Sequence, residues 1–262
     1  MRIQSLERAI SILNLFRSTR NPLGISEMAQ ALNLAKTTVH GLVSTLERNG
    51  FLKKDTTTRK YRLGLSLFEL GTIKAADLEI NQRAFYPLRK LSNDINRLCR
   101  VAIWDRESVV VTMTVQPQGH EITARQFGPR LPGYCTALGK AVLANMFEPE
   151  LAAYLDKTDL IAYTPNTISN RRLLAEDLNQ TKIRGYSISR MEILPYQAGL
   201  GAPVMDISGM AVGAVSTRLN AGDLDTDFMM TAAGELMRTA HQLSVDMGYQ
   251  PVAENSWLSG GR

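Results

Sequence analysis

The sequence predicts an α+β protein with an N-terminal winged helix-turn-helix, a linker helix and a C-terminal α/β domain. Residues 26–63 give two short helical patterns followed by a basic hairpin, and residues 99–219 alternate strand-like and helical runs. Charge also separates the two halves. Residues 1–65 hold 11 Lys and Arg against 4 Asp and Glu, whereas the rest of the chain holds 19 against 21. The excess positive charge therefore lies entirely in the first segment, where phosphates of a nucleic acid would be bound.

Length and composition exclude several other classes of protein. With 262 residues, 44% of them hydrophobic, the chain can bury a core in each of two domains. Cys99 and Cys135 are too few for a disulfide framework, and neither lies near a His at metal-ligand spacing. No apolar stretch reaches the roughly 20 residues that span a bilayer, and the N-terminus lacks the apolar core of a signal peptide. We therefore expect a cytoplasmic protein with no membrane partner, metal or cofactor.

The first helices follow from apolar spacing and from turn residues. Apolar residues at helical intervals predict a helix over 3–18, which the NPLG segment at 21–24 ends. Ser26 is expected to be the N-cap of a second helix that runs to about Leu32. Asn33 then stands where the turn needs a residue that tolerates unusual backbone angles.

The next helix is predicted to enter the major groove of DNA. One of its faces is apolar and carries Val39, Leu42, Val43 and Leu46. At 100° per residue the opposite face is polar, with His40 at its flank, and carries Thr37, Gly41, Ser44 and Arg48. A buried Val and Leu face combined with outward hydroxyls and a guanidinium suits groove recognition. Asn49 and Gly50 then end the helix.

The segment FLKKDTTTRKYRL predicts two short strands around a polar turn, the wing of the fold. Its many cations favour contacts to phosphates or to the minor groove, although a soluble basic hairpin or a protein-interaction module remains the alternative. The residues predicted to contact double-stranded DNA are Ser26, Lys36, Thr37, Thr38, His40, Gly41, Ser44, Arg48, Lys53, Lys54, Arg59 and Lys60.

The second half is predicted to form an antiparallel sheet flanked by helices. Helices are expected over 66–81, 82–98, 135–146, 170–184 and 225–247. Strands are expected over 99–104, 108–115, 120–127, 185–193, 199–206 and 210–219, before a flexible tail at 251–262. In the linker helix, Leu67, Leu70 and Ile73 could face the same helix of a partner chain or could pack on their own domain.

Several segments in the same order resemble the IclR family of bacterial transcriptional regulators. They are QSLERAISIL, KTTVHGLVSTLERNGFL, YRLG, LPGYCTALGKAVLANM and YTPNTISNRRLLAEDLNQTKIRGYSIS. The resemblance implies a winged helix-turn-helix at 1–65, a linker helix at 66–81 and a GAF-like effector-binding domain at 82–250. It also implies a homodimer or homotetramer that binds a palindromic operator and responds to a small metabolite, often an organic acid. Repressor and activator both stay open.

The segment GYCTALGKA places small residues at the start of a helix, so the amides of Thr136, Ala137 and Leu138 could face an anion. Tight helix packing is the alternative use of such small residues. The resemblance favours a ligand site, because this segment matches the part that contacts effector carboxylates in the family.

Two further segments resemble effector-contacting parts of the family but depart from its pattern. In QAGLGAPV, Gly199 stands where many members carry Cys, which would enlarge the pocket. In VSTRL, Ser216 matches a pocket serine and Arg218 replaces a second serine. An inward Arg218 would offer a bidentate fork to a carboxylate, which predicts an anionic ligand larger than a two- or three-carbon acid. A solvent-facing Arg218 is the alternative. Weaker pocket candidates are Ser189, Trp104 and Met113.

The resemblance also marks Gly41, because family members usually carry a bulky or basic residue there. A glycine removes one base contact and weakens the helix by about 1 kcal/mol relative to alanine. We therefore expect modest base readout by Thr37, His40 and Ser44, with phosphates held by Lys36, Arg48 and the wing.

The rival hypothesis is an enzyme domain that acts on a small metabolite and is fused to a DNA-binding head. It finds little support in the sequence, because His40, His120 and His241 lie on separate elements without a recognisable catalytic spacing. Cys135 precedes a helix, where the pKa of a thiol could be lowered. No partner for Cys135 is visible in the sequence, so no catalytic residue is assigned.

Overall fold

A computed structural model of the chain describes residues 2–17, 19, 21–118 and 130–250. The chain divides into two compact units between Asp77 and Leu78. None of the helices within the described ranges is long and apolar enough to cross a membrane.

The first unit is a winged helix-turn-helix followed by one more helix. Its elements are α1 (Gln4–Leu15), α2 (Ile25–Leu32), α3 (Lys36–Arg48), β1 (Leu52–Lys54), β2 (Tyr61–Leu63) and α4 (Leu65–Asp77). The predicted apolar face of α3 is confirmed, since Val39 and Val43 are fully buried and pack with Ile12, Met28 and Tyr61. The core of this small unit therefore fixes which side of α3 faces outward.

The turns of this unit confirm two sequence predictions and correct a third. Asn33 adopts the left-handed conformation with φ 51°, and Gly50 follows α3 with φ 75°. The predicted N-cap at Ser26 is wrong, because α2 begins one residue earlier and its N-cap is Gly24. Glu27 Oε2 accepts the backbone N–H of Gly24 at 2.5 Å. The capping role thus falls to the Glu27 carboxylate, which reaches back over the first turn.

The second unit is an antiparallel sheet with helices on both faces. Its helices are α5 (Glu79–Asp94), α6 (Ala137–Leu143), α7 (Glu148–Lys157), α8 (Arg171–Arg184) and α9 (Asp227–Asp246). Its strands are β3 (Cys99–Asp105), β4 (Ser108–Val115), β5 (Arg130–Pro132), β6 (Ser187–Leu194), β7 (Gln197–Met205) and β8 (Ala211–Asn220). The strand order is β5-β4-β3-β8-β7-β6, and every pair of neighbours is antiparallel.

Successive side chains of a strand point to opposite faces of the sheet, and each face packs against its own layer of helices. Val101 and Val215 lie on one face, in the core formed with α5 and α9. Ala102 and Ala214 lie on the opposite face, in a second core with Leu138 and Val142 of α6. A cavity that opens on the α6 side can therefore be lined by alternate residues of β3 and β8.

Several element boundaries differ from the sequence prediction. The linker helix expected over 66–81 ends at Asp77, and α5 begins at Glu79, because Leu78 between them has an extended backbone. The helix expected at 135–146 begins at Ala137, since Thr136 is extended and caps it. Helix α7 and strand β5 were not predicted. The expected strand at 120–127 and the tail at 251–262 lie outside the described residues.

Two glycines allow α6 to lie directly on the backbone around it. A methyl group at Gly201 of β7 would stand 2.3 Å from the Ala137 carbonyl oxygen. A methyl group at Gly139 of α6 would stand 2.2 Å from the Gly133 carbonyl oxygen. Ser187 Oγ also donates a hydrogen bond to the Ala137 carbonyl at 2.5 Å. The first turn of α6 is therefore held against β6 and β7.

Candidate functional site

The outward face of α3 is polar along its whole length. Lys36, Thr37, His40, Gly41, Ser44 and Arg48 are all exposed, and Thr38 is half-buried. Lys36 is the first residue of the helix and Arg48 the last, so a cation stands at each end of the face. No atom lies within 4 Å of a methyl group placed at Gly41. The face can therefore approach a groove closely at its centre and contact phosphates at its ends.

The wing places two cations directly opposite each other. Lys53 of β1 pairs with Arg62 of β2 across the hairpin, and both side chains are exposed. Like charges at opposed positions destabilise a hairpin, and a bound phosphate backbone would offset that repulsion. Lys54 Nζ lies 5.7 Å from the centre of the Tyr61 ring, which anchors its stem near the core.

The turn of the wing is fixed by Asp55. Its carboxylate accepts the N–H groups of Thr58 at 2.8 Å and Thr57 at 2.9 Å, and these hydrogen bonds lower the pKa of Asp55. Arg59, at the end of the turn, is exposed and has φ 57°. The hydrogen bonds of Asp55 thus fix the backbone of the turn without any contact to DNA, and Arg59 is exposed on it.

Lys60 differs from the other predicted DNA contacts. Its ammonium lies 2.7 Å from Glu27 Oε1, so the cation links the wing to α2. The Gly24 amide and the Lys60 ammonium together lower the pKa of Glu27. Lys60 is therefore engaged within the protein, whereas Ser26 is exposed in the first turn of α2. A phosphate contact by Lys60 would compete with this ion pair.

In the second unit, a cavity of about 60 Å³ lies between the start of α6 and the sheet. Seven of the nine predicted effector residues line it: Thr136, Ala137, Leu138, Ser189, Gly199, Ser216 and Arg218. The remaining lining residues were not predicted and are Leu98, Arg100, Leu131, Cys135, Ile193, Leu194, Gln197, Ala198 and Thr217. The lining residues lie between Leu98 and Arg218 in the sequence, and the fold brings them around one cavity.

The other two predicted effector residues do not border this cavity. The Trp104 ring packs edge-on against Tyr154, with ring centres 5.6 Å apart. Met113 packs against the core on the opposite face of the sheet. Neither side chain therefore lines this cavity, because each packs in an apolar core, and their predicted contact with an effector stays a prediction.

Two arginines line the cavity. They are Arg100 and Arg218, and the lining residues that the structure describes include no Asp or Glu. Both arginines are half-buried, so the alternative of a solvent-facing Arg218 at a strand end is not what the structure shows. The backbone N–H of Arg218 donates to the Leu98 carbonyl at 2.9 Å, and its guanidinium makes no ion pair within the described ranges. Arg218 also borders a neighbouring cavity of about 160 Å³.

Both units match known protein families. Residues 5–56 match the IclR helix-turn-helix domain, and residues 73–245 match the bacterial transcriptional regulator IclR C-terminal domain. The chain belongs to the IclR family. An IclR-family chain of this kind is a DNA-binding transcriptional regulator with an effector-binding C-terminal domain.

Relatives of the IclR family align with almost the whole chain. The transcriptional regulator XynR of Escherichia coli K12 is 30% identical over 247 residues, which cover 94% of this chain and 98% of XynR. The crystal structure of Thermotoga maritima IclR is 25% identical with a TM-score of 0.73, covering 95% of this chain and 100% of that one. An IclR homologue from Microbacterium hydrocarbonoxydans, complexed with 4-hydroxybenzoate, has a TM-score of 0.78 at 20% identity and covers 93% of this chain and 99% of its own. The predicted fold class, a winged helix-turn-helix joined to a GAF-like α/β domain, is confirmed by these likenesses.

Some polar groups of the cavity already form hydrogen bonds within the protein. Thr136 Oγ1 accepts the N–H of Gly139 at 3.0 Å and donates to the Pro132 carbonyl at 2.7 Å. Ser189 Oγ donates to the Cys135 carbonyl at 3.0 Å. The first amides of α6 have no intrahelical acceptor, as at the start of any helix. The groups best placed for a new ligand are therefore Arg218, Ser216 and the first amides of α6.

A buried ion-pair cluster holds α6 in place beside the cavity. Lys140 Nζ lies 2.7 Å from Glu192 Oε1 and 2.9 Å from Asp177 Oδ2. The Lys140 and Glu192 side chains are 1% and 2% exposed. Burial raises the pKa of Glu192, and the Lys140 ammonium opposes that rise. The cluster connects α6 with β6 and α8, so it fixes the wall that carries Thr136, Ala137 and Leu138.

The structure gives no catalytic grouping for this IclR-family chain in the part that it describes. Burial raises the pKa of Cys135 to about 12, which is opposite to the lowered value expected of a thiol at a helix start. His40 and His241 are exposed on α3 and α9, and His120 lies outside the described residues. Among those described, no group of three or more His, Cys, Asp or Glu could hold a metal ion.

Among the lining residues that sequence reasoning missed, Arg100 is the charged one. The pattern of CRVAIW predicts its strand, and alternation places Arg100 and Ala102 on one face. Only the pairing of β3 with β8, which sets Arg100 opposite Ser216, shows that this face borders the cavity. The strand pattern therefore predicts the face on which Arg100 lies. It does not predict the pairing of β3 with β8 that brings this face to the cavity.

Proposed function

We propose that a small organic anion, a carboxylate, binds in the cavity between α6 and the sheet and thereby controls operator binding. The observation that carries this proposal is the half-buried Arg218, whose guanidinium makes no ion pair within the described ranges and which borders a cavity whose described lining includes no acidic residue. A guanidinium is suited to a carboxylate because its parallel N–H groups match the two oxygens. Serine and backbone N–H groups in the same lining would complete the site.

The relatives support an acid as the ligand. The Microbacterium homologue is complexed with 4-hydroxybenzoate, which carries a carboxylate. In this chain Gly199 leaves space beside Ala137, because a methyl group there would lie 3.6 Å from the Ala137 Cβ. The volume of about 60 Å³ fits only a few non-hydrogen atoms, so a larger acid would need the neighbouring space beyond Arg218.

On the DNA side, we propose that α3 enters the major groove. Thr37, His40 and Ser44 lie on the exposed face, where their side chains can reach base edges. Lys36, Arg48 and the wing would bind phosphates, which position the unit without reading sequence. Since Gly41 contributes no side chain, we expect specificity to depend strongly on the spacing of two recognition helices.

A second copy of the chain would supply that second recognition helix. Helix α4 has no buried residue, and its exposed apolar side chains are Leu65, Phe68, Leu70 and Ile73. Leu6 and Ile10 of α1 are likewise exposed, as is Ile3 just before the helix. Apolar faces of this extent favour burial against a partner. We propose that the protein is a homodimer, or a dimer of dimers, that reads half-sites about one helical turn apart.

Coupling between the two units requires that the anion bind one arrangement of the oligomer better than another. An acid that favours the DNA-bound arrangement would strengthen operator binding, and one that favours another arrangement would release the operator. We propose that the bound acid is a signal and is not consumed, so the protein is not an enzyme. Cys135, the one cavity thiol, is held in its neutral form by burial.

A thermal-shift panel tests the site, because a ligand that binds only the native state raises the melting temperature. The panel pairs each carboxylate with its uncharged amide, for example benzoate with benzamide. We expect at least one acid to stabilise the wild type, the amide to have no effect, and Arg218→Gln to abolish the stabilisation. Arg106→Gln, an exposed arginine outside the cavity, is the matched control. Stabilisation by amides and acids alike would contradict the proposal, as would conversion of the acid to a product.

A further inference from the structure

The space on the far side of Arg218 identifies the chemical class of the effector more closely. Arg218 borders a first cavity of about 60 Å³ beside α6 and a second cavity of about 160 Å³. We infer that the effector is a hydroxylated carboxylate, as a linear sugar acid is, with its carboxylate in the first cavity and its hydroxyl groups in the second. This inference rests on the proposed function, since it starts from the same site, and it adds the chemistry of the rest of the ligand.

The second cavity lies where three strands of the sheet begin or end. The start of β3 pairs with the end of β4 and with the C-terminal part of β8. Leu98, Gln116 and Arg218 adjoin these paired segments and line the second cavity. Leu98 and Arg218 also line the first cavity, so the two spaces share a boundary. A ligand bound at Arg218 is therefore within reach of both.

The first cavity suits the acidic end of a ligand and little more. Its volume of about 60 Å³ fits only a few non-hydrogen atoms. Ser216, which lines it, is 8% exposed, and its hydroxyl forms no hydrogen bond within the described residues. Ser216 and Arg218 together can bind a carboxylate and a polar group on the next carbon. The second cavity has more than twice the volume, so the remainder of a longer acid would lie there.

The second cavity is lined by side-chain amides. Its lining includes Asn96, Gln116 and Asn220. Gln116 is half-buried, and its amide forms no hydrogen bond within the described ranges. An amide has both donors and an acceptor, and a hydroxyl group can donate and accept, so the two groups match. An alkyl chain would instead exclude water from the amide and offer it no hydrogen bond, which is unfavourable.

The positive charge in the second cavity is already matched within the protein. Arg97, which lines this cavity, forms an ion pair with Asp223 at 3.1 Å. Its guanidinium also lies 4.5 Å from the centre of the Phe228 ring and donates to the Asn96 carbonyl at 3.1 Å. A second anionic group on the ligand would compete with Asp223 for this guanidinium. Uncharged hydroxyl groups avoid that competition, so they fit the second cavity better than a second carboxylate does.

Isothermal titration of the full-length protein with matched pairs of acids tests the inference. Each hydroxylated acid is compared with the unsubstituted acid of equal chain length: lactate with propionate, threonate with butyrate, ribonate with valerate, and gluconate and galactonate with hexanoate. We expect the best hydroxylated acid to bind at least about tenfold more tightly than its partner, because hydrogen bonds in the second cavity are added. Lactate and propionate should differ least, since both fit the first cavity. Sorbitol, which has the hydroxyl groups but no carboxylate, should not bind.

Variants of Gln116 then assign the hydroxyl groups to the second cavity. Gln116→Leu should remove the preference for the hydroxylated acid and leave the affinity for its unsubstituted partner unchanged. Gln116→Ala, which removes the amide without filling the space, should do the same. Gln180→Leu, at an exposed glutamine of α8 outside both cavities, is the matched control and should keep the full preference. Unchanged far-UV circular dichroism and DNA binding without acid show that each variant is folded.

The outcomes separate the inference from the proposed function. Equal binding of hydroxylated and unsubstituted acids, lost in Arg218→Gln, would overturn the inference and leave the proposed function standing. A hydroxyl preference that survives both Gln116 variants would overturn it as well, as would an equal loss of affinity for both acids of a pair. If no acid binds, or if sorbitol binds as tightly as the best acid, both are overturned. A preference that depends on Gln116 and on Arg218 supports both.

Discussion

The two units of this regulator use positive charge in opposite ways. In the first unit the cations of α3 and of the wing are exposed, and Lys53 and Arg62 even stand opposite each other. In the second unit Lys140 and Arg97 are enclosed and paired with acids. The exception is Arg218 in the cavity, whose guanidinium makes no ion pair within the described ranges.

This difference fits the proposal that the chain binds two anions of very different size. Cations spread over a surface suit a polyanion such as DNA, and their interactions are strongly weakened by salt. Enclosed cations suit a small anion that fits the enclosure, and they are screened much less. The buried pairs of the second unit hold the walls of that enclosure in place. The following predictions test this contrast, beginning with the largest expected effect.

Removing Lys140 should have the largest effect on stability. In Lys140→Met, Glu192 and Asp177 lose the ammonium that lies 2.7 Å and 2.9 Å away. Breaking a buried pair by removing one partner costs about 3–5 kcal/mol. Urea unfolding followed by circular dichroism should show this loss in the free energy of unfolding.

The matched control for Lys140 is Lys90→Met. Lys90 forms an ion pair with Asp94 on the exposed surface of α5, one turn away on the same helix. We expect no measurable change in stability, because exposed pairs contribute little. Equal losses in the two variants would contradict the distinction between buried and exposed charge.

The next largest effect is expected at Gly201. In Gly201→Ala the new methyl group would stand 2.3 Å from the Ala137 carbonyl, so α6 must move away from β7. Overpacking of this kind costs about 1–3 kcal/mol and should also weaken acid binding, since α6 forms a wall of the cavity. Gly234→Ala on α9 is the control, because no atom lies within 4 Å of a methyl group placed there and the residue is outside the cavity lining. Identical stability and acid affinity in the two variants would contradict the proposed role of the close contact.

The wing should govern the salt dependence of DNA binding. In Lys53→Gln combined with Arg62→Gln, the slope of log K against log salt should fall by about 0.9 for each phosphate contact that is lost. Affinity should fall for all DNA sequences alike, as fluorescence anisotropy can measure. Arg172→Gln, which removes an exposed arginine of α8, should leave the slope unchanged. A changed preference among operators would show that the wing reads bases.

The smallest effect is expected on the recognition helix. Gly41→Ala should stabilise the protein by up to about 1 kcal/mol, since alanine favours the helix and the position is free of neighbours. Gly41→Arg should raise the affinity for non-specific DNA by adding a cation to the same face. If Gly41→Arg leaves DNA binding unchanged, this face does not approach the groove.

The features predicted most accurately from the sequence are those that depend on short local patterns. The buried face of α3, the left-handed Asn33 and the wing follow from spacing and from turn chemistry, and each is confirmed. Seven of the sixteen lining residues also came from short segments, with the help of the resemblance. These seven lie at the start of α6 and on β6, β7 and β8, where short local patterns were informative.

The rest depended on contacts between distant parts of the chain. The register between β3 and β8 brings Arg100 to the cavity, and the approach of β6 and α8 pairs Lys140 with Glu192 and Asp177. The same cause explains why Met113 does not line the cavity, because its strand pattern shows that the side chain is inward but not which of the two faces receives it. Trp104 is on the α6 side but packs against Tyr154 away from the cavity.

The central claim is that an organic anion in the second unit controls DNA binding by the first. It is tested most directly by anisotropy of a fluorescent operator, selected from random DNA by the wild-type protein, during titration with the acid that stabilises the protein best. We predict that the acid shifts operator affinity by roughly 5- to 150-fold, the usual range of allosteric coupling. Arg218→Gln should bind the operator as the wild type does but should not respond to the acid. An operator affinity that is independent of every stabilising acid, or an equal response in Arg218→Gln, would contradict the claim.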